Sequence, residues 1–165
     1  MNMYEEADKY KQKGFVEIAT DSGTGSTILV HQRLGKVVKI NQDIAYNKFI
    51  EFANNNTSLQ VPKFSNFQKI GEPPYEGNSG FTLVEMDLYY ALDSSESEEY
   101  TTWITRYFAF KKGSGPKPDD DFGLYDTVEA LSQDATTNSL CLDILKATNI
   151  MKKSDGSFVI TDPYN

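Results

Sequence analysis

Residues 27–40 read TILVHQRLGKVVKI, and this stretch decides the fold. Two runs of apolar and β-branched residues, 27–31 and 36–40, flank a short turn that ends at Gly35. This pattern predicts two strands of an antiparallel hairpin. Residues 15–19 are also largely apolar and predict one more strand before it. We therefore expect an antiparallel meander, with Lys39 between two apolar neighbours on its last strand.

The segments outside the meander complete an α+β pattern. Helices are predicted where apolar residues recur at helical spacing, and strands where short β-branched runs lie between turn residues. The predicted helices are 4–13, 43–53, 94–108 and 124–135, and the further strands lie within 61–70, at 81–86 and at 157–161. Strands dominate the first half and helices the second. This order predicts an α+β chain with an N-lobe of residues 1–86 and a C-lobe of residues 87–165.

Composition excludes several classes of function. The net charge of −8 opposes general binding to nucleic-acid backbones. The single cysteine, Cys141, and the single histidine, His31, exclude a disulfide framework and a metal site built from several such residues; Cys141 is predicted to be a small buried residue. No apolar run approaches the ~20 residues of a membrane span, and the acidic start is unlike a signal peptide. We therefore expect a cytoplasmic protein that binds neither nucleic acid nor a membrane.

Two features of the first half suit a phosphate group. Glycines in the turn Gly23-Thr24-Gly25 allow backbone N–H groups to approach an anion, although most such turns are only hairpin loops. Lys39 needs a negative partner if its face of the sheet is covered. Glu51 in the following helix is the candidate, and the uncharged Tyr46 suits a lysine less.

A third feature lies near the C-terminus. Asp143, Asn149 and Asp162 flank a segment that resembles a β-hairpin. The oxygens of Asn149 and Asp162 are hard ligands that suit Mg²⁺. Asp143 is able to accept a hydrogen bond from an attacking hydroxyl group.

The order of these features resembles the protein-kinase-like fold, from about residue 15 to the C-terminus. That superfamily includes aminoglycoside-phosphotransferase-like proteins and other small atypical kinases, and the chain is most similar to the small kinase-like proteins of bacteria and their phages. The resemblance implies a five-stranded antiparallel N-lobe, a reduced and mainly helical C-lobe, and Mg²⁺-dependent transfer of the ATP γ-phosphoryl group to a hydroxyl.

The resemblance also implies roles for individual residues. The metal would be held by Asn149 and Asp162, and Asp143 would be the catalytic aspartate. The nucleotide would be held by the glycine turn and Ser26, by a lysine that the helix glutamate orients, and by backbone groups of the hinge strand: Gly23, Gly25, Ser26, Lys39, Glu51, Glu85 and Met86.

Several departures from the family pattern keep alternatives open. Cys141-Leu142 replaces the usual His-Arg, and Asp143 lies six residues before Asn149, where the family has five. Three residues follow Asp162, so we expect no activation segment or protein-substrate platform. One alternative is a catalytically inactive, pseudokinase-like protein that binds or inhibits a protein partner, for example a phage-encoded modulator in the host cytoplasm. Another is an unrelated α+β domain with chance motifs.

A literal Asp-Phe-Gly occurs at residues 121–123, away from the other motifs. No strand is predicted before it, so we interpret Asp121 as the residue that starts the helix at Leu124. Trp103 and Tyr107, four residues apart, are predicted to be core contacts of their helix.

Overall fold

The computed structural model describes residues 3–18, 26–70 and 80–165. These residues form four α-helices and eight strands. In chain order the elements are α1 (Met3–Gln12), β1 (Val16–Ile18), β2 (Thr27–His31), β3 (Lys36–Asn41), α2 (Ile44–Asn55), β4 (Ser65–Ile70), β5 (Phe81–Asp87), β6 (Tyr90–Ala91), α3 (Ser94–Lys111), α4 (Tyr125–Thr137), β7 (Ile150–Lys152) and β8 (Phe158–Ile160). Two compact units result, one from Met1–Ile50 with Lys63–Leu88 and one from Glu51–Pro62 with Tyr89–Asn165.

The predicted α+β class is confirmed, and so is the five-stranded antiparallel sheet. Its strand order is β1-β2-β3-β5-β4, and every neighbouring pair is antiparallel. A second sheet of order β6-β7-β8 belongs to the other unit. The predicted turn at 21–26 lies outside the described residues except for Ser26, and the boundary expected between residues 86 and 87 stays a prediction.

The first unit packs α1 against one face of its sheet. Side chains alternate between the faces of a strand, so Val38 and Ile40 point to one face and Lys39 to the other. Val38 pairs with Leu29, and Ile40 with Leu83. All four apolar residues are fully buried in one cluster with Ala7, Tyr10 and Phe15. Burial of this face fixes the register of the sheet, because a slip of one residue would turn its apolar side chains to the other side.

The second unit is built around a stripe of aromatic residues on α3. A capping box starts this helix, since the Asp93 side chain accepts from the Glu96 backbone N–H and the Glu96 side chain accepts from that of Asp93. Trp103 and Tyr107 are buried with ring centroids 6.0 Å apart, which confirms the core role predicted for them. No helix within the described ranges is long and apolar enough to cross a membrane.

Two predictions about single residues were wrong. Cys141 is exposed rather than buried. Its segment lies along the last residues of the chain, where its carbonyl accepts from the Asn165 backbone N–H, and Ile144 is the residue there that enters the core. Asp121 does not start α4. Leu124 is the N-cap residue of this helix, and the carboxylate that supports the preceding turn belongs to Asp120, whose Oδ1 accepts from the backbone N–H groups of Leu124 at 2.8 Å and Tyr125 at 3.1 Å.

The Asp-Phe-Gly at 121–123 therefore has a structural explanation. Phe122 is buried and its ring packs against Tyr100, Trp103 and Phe158, with centroids 4.8–5.7 Å away. Gly123 has a φ of +65°, a conformation that glycine adopts readily. The motif makes a turn that presents one aromatic ring to the core.

The two neighbouring aspartates provide a matched test of this helix start. We expect Asp120→Ala to lower the free energy of unfolding by about 1 kcal/mol, because two backbone donors lose their acceptor. Asp121→Ala, at an exposed neighbouring position, is expected to change it by less than about 0.5 kcal/mol. Urea unfolding at neutral pH measures both. Equal effects of the two substitutions would contradict the role of Asp120 as the acceptor for these two N–H groups.

Candidate functional site

Lys39 lies on β3 and is half-buried, on the sheet face away from α1. Its Nζ lies 3.4 Å from the centroid of the Tyr46 ring. Tyr46 is itself buried, in the first turns of α2, a helix whose start is fixed by the Asp43 side chain accepting from the Ala45 backbone N–H. The ring face attracts the ammonium group. Sequence reasoning dismissed Tyr46 for having no charge, although an aromatic ring also attracts a cation.

Polar side chains lie next to Lys39 along this face of the sheet, although its partners on the neighbouring strands are apolar, Ile28 on β2 and Val84 on β5. Asn41, two residues further along β3, is 1 % exposed, and its Oδ1 accepts from the Asp43 backbone N–H at 2.9 Å. Opposite it on β5, Thr82 donates to Asn47 Oδ1 at 2.8 Å. Within the described part of the chain, the buried Nδ2 of Asn41 has no hydrogen-bond partner. This face therefore combines apolar neighbours of Lys39 with a buried polar group at Asn41.

Glu85 and Met86, the predicted hinge residues, are neighbours on β5. The Glu85 carboxylate accepts from the Tyr10 hydroxyl at 2.6 Å and from Asn66 Nδ2 at 2.8 Å. This side chain therefore links β5 to α1 and to β4. Burial, and then the nearby Glu85, raise the pKa of Tyr10. Strand β4 begins at Ser65, opposite Glu85, and Met86 therefore lies beyond its end. The backbone edge of Met86 that faces away from β3 is thus not part of the β4–β5 ladder.

The other residues predicted to hold the nucleotide are less informative. Gly23 and Gly25 lie outside the described residues. Ser26 is half-buried and directly precedes β2. Glu51 is exposed on α2, and its orientation of Lys39 stays a prediction.

The second unit brings the three C-terminal candidates together. Asp143 donates its backbone N–H to the Pro163 carbonyl at 2.7 Å, and Asn149 Nδ2 donates to the Asp143 carbonyl at 2.6 Å. The backbone N–H of Thr161 donates to the Asn149 carbonyl at 2.9 Å. Both chain neighbours of Asp162 are therefore bonded to the loop of residues 143–149. The bond from Asn149 Nδ2 to the Asp143 carbonyl also joins the two ends of this loop, which are six residues apart.

The donors in this cluster suit a hard cation. Because Asn149 Nδ2 is bonded to Asp143, the Oδ1 atom is the part of this amide that is able to bind a metal. Asp162 supplies a half-buried carboxylate. Within residues 3–18, 26–70 and 80–165, no group of three or more His, Cys, Asp or Glu residues is placed to hold a metal. Two oxygen ligands fit Mg²⁺, which keeps several waters and often shares phosphate oxygens.

Two further side chains position the cluster. Lys146 Nζ lies 3.3 Å from Asp143 Oδ2, and the Asp143 side chain is 25 % exposed. Tyr164 is buried and donates from its hydroxyl to Asp134 Oδ2 on α4 at 2.6 Å. Its backbone forms an isolated bridge with Leu142, just before Asp143. Sequence reasoning missed Tyr164, because nothing local to residues 162–165 indicates a partner on α4.

Comparison with solved structures finds four similar chains, among them two structures of an aminoglycoside phosphotransferase. The crystal structure of aminoglycoside phosphotransferase APH(4)-Ia is 9 % identical over 97 % of this chain and 71 % of that chain, with a TM-score of 0.45. The apo form of a thermostable mutant of the same enzyme is 10 % identical over 95 % of this chain and 70 % of that chain, also with a TM-score of 0.45. No family model matches the chain, and no curated protein matches it.

Tyr164 makes the stability of the folded chain fall as the pH becomes alkaline. Burial, and then the hydrogen bond to Asp134, raise the pKa of Tyr164 above the ordinary tyrosine value. Above pH of about 10 the unfolded chain loses this proton while the folded chain keeps it. The contribution is therefore complete below that pH and falls as the pH rises further. We expect Tyr164→Phe to lose less stability than the wild type between pH of about 9 and 11.

Urea unfolding across this range measures the effect. Tyr4, which is 72 % exposed, provides the control, and Tyr4→Phe is expected to keep the wild-type profile. If Tyr164→Phe loses stability with pH as the wild type does, the Tyr164 hydroxyl does not hold the end of the chain against α4.

Proposed function

We propose that this chain binds ATP with Mg²⁺ and transfers the γ-phosphoryl group to a hydroxyl group of an acceptor. The observation that carries the proposal is the bonding of the 143–149 loop to both neighbours of Asp162. It gathers a carboxylate for proton transfer, an amide oxygen and a second carboxylate in one region of the second unit. This is the set of groups that phosphoryl transfer requires near the metal.

In this proposal the first unit supplies the groups that bind the nucleotide. Lys39 contacts the α- and β-phosphates, and Tyr46 supports it, because the ring restrains the ammonium group without neutralising its charge. The backbone edge of Met86 outside the β4–β5 ladder is assigned to the donor and acceptor groups of adenine. The remaining roles follow the resemblance: phosphate covering by Gly23, Gly25 and Ser26, backbone contact at Glu85, and orientation of Lys39 by Glu51, which is counted with the second unit.

The second unit supplies the metal ligands and the base. Asn149 Oδ1 and the Asp162 carboxylate would hold Mg²⁺, which when bound neutralises phosphate charge. Asp143 accepts the proton of the acceptor hydroxyl as its oxygen forms a bond to the γ-phosphorus. The bond from that phosphorus to the bridging oxygen breaks, and ADP leaves with the electron pair. Lys146 and the backbone bonds of Asp143 hold this carboxylate in place.

Calorimetry of ATP binding tests the nucleotide and metal assignments. We expect the wild type to bind ATP only with Mg²⁺, and Asp162→Ala to bind it at least tenfold more weakly, because one of two protein ligands is lost. Asp126→Ala, at an exposed position on α4, is the control and is expected to match the wild type. Absence of binding at millimolar ATP would refute the proposal.

The assignment of Asp143 is tested by ADP formation from ATP under the same conditions, with water as the acceptor of the γ-phosphoryl group. We expect Asp143→Asn to reduce the rate by roughly 100- to 10,000-fold, the range for a lost general base. ATP affinity is expected to stay within about twofold, since Asp143 is not assigned to the metal or the nucleotide. Wild-type ATP binding without any ADP formation would instead support the catalytically inactive alternative.

A further inference from the structure

A cavity of about 890 Å³ lies in the second unit, between α3 and the loop of residues 114–122. We call it the α3 cavity. Its volume falls within the range of roughly 300–1,000 Å³ that is usual for small-molecule sites. Asp143, Asn149 and Asp162 are not among its lining residues. The α3 cavity is therefore a separate feature from the residues assigned to phosphoryl transfer.

The walls of the α3 cavity are held in place independently of any ligand. Trp103 Nε1 on α3 donates to the Asp119 carbonyl in the loop at 2.7 Å. At the end of the loop, Phe122 packs against the Phe158 ring with centroids 4.8 Å apart, and Asp120 Oδ1 accepts from the Leu124 backbone N–H before α4. Each wall is thus tied to a helix or to β8. A cavity with such walls is largely preformed, which reduces the entropy lost when a ligand binds.

Carboxylates outnumber cationic groups around the α3 cavity. Two basic residues line it, Arg106 and Lys117. Four exposed acidic residues also line it: Glu98, Glu99, Asp119 and Asp121. Lys117 already lies over the Tyr125 ring, with its Nζ 4.3 Å from the centroid. Carboxylates that line one cleft attract a positively charged ligand. The charge of the cavity therefore favours a cation.

The position of the acids along α3 indicates which end takes the cation. Glu98 and Arg106 are eight residues apart on one helix face, about 12 Å at 1.5 Å per residue. The acidic end is thus separated from the guanidinium group. Trp103 follows Glu99 by one helical turn, so a cation near Glu99 places a short apolar body against the aromatic wall.

From these observations we infer that the α3 cavity is a binding site for an organic amine with a flat apolar body. The ammonium group pairs with Glu98 and Glu99, and the apolar body packs against Trp103, Phe122 and Phe158. A compact aryl-alkylamine matches both the volume and the distance of one helical turn between charge and ring.

The molecule contains its own probe, because Trp103 is the single tryptophan and lines the α3 cavity. The test titrates 3-phenylpropylamine and, separately, 3-phenyl-1-propanol, which has the same shape without the charge. We expect the amine to change the Trp103 fluorescence saturably with a millimolar dissociation constant. The alcohol is expected to bind at least threefold more weakly, and added salt to weaken only the amine.

Substitutions of Glu98 and Glu99 test whether these carboxylates bind the ammonium group. Glu98→Gln combined with Glu99→Gln is expected to weaken amine binding by about three- to tenfold, since each exposed ion pair contributes modestly. Asp126→Asn removes one exposed carboxylate elsewhere and is expected to leave the affinity unchanged. Far-UV circular dichroism confirms that each variant is folded.

Three results would each overturn the inference: equal affinity for amine and alcohol, unchanged amine affinity in the double variant, or no saturable response to the amine at tens of millimolar. Asp162→Ala is expected to bind the amine like the wild type. Failure of ATP binding and failure of amine binding are therefore separate results, and neither decides the other.

Discussion

The alternation of side chains along β3 is the constraint on which the first unit depends. Val38 and Ile40 are both fully buried against α1. Because successive side chains of a strand point to opposite faces, Lys39 has to point away from that core. The opposite face is where α2 places Tyr46 beneath the lysine ammonium group. The position of the Lys39 side chain thus follows from the packing of its two neighbours.

The buried Asn41 side chain is unfavourable for stability alone. A buried donor without a partner, such as Asn41 Nδ2, costs about 1–3 kcal/mol relative to a satisfied one. An apolar residue of similar size at this position would avoid this cost. Natural proteins concentrate such departures near functional residues. Asn41 lies two residues from Lys39 on the same face, which agrees with the nucleotide role proposed for that face.

The second unit holds its candidate residues together by hydrogen bonds to residues 161–164, near the end of the chain. Backbone bonds join Asp143 to Pro163 and Asn149 to Thr161, while Tyr164 reaches Asp134 on α4. Each bond is worth only about 1 kcal/mol, but together they fix Asp162 from both sides. The aromatic stripe of α3 contacts the 143–149 loop, since the Tyr100 hydroxyl donates to the Ile144 carbonyl. Trp103 of the same stripe also lines the α3 cavity.

The sequence by itself determined the α+β class, the meander and the helices, because these depend on local periodicity and on turn residues. It also singled out Lys39, Asp143, Asn149 and Asp162 as residues able to carry chemistry. Only the tertiary structure decided which groups meet: Tyr46 under Lys39, Tyr10 and Asn66 on Glu85, and the 143–149 loop against Pro163. It also decided that Asp120 rather than Asp121 accepts from the backbone N–H groups at the start of α4, and that Cys141 is exposed. Contacts between distant segments depend on how helices and strands pack, and no local pattern encodes that packing.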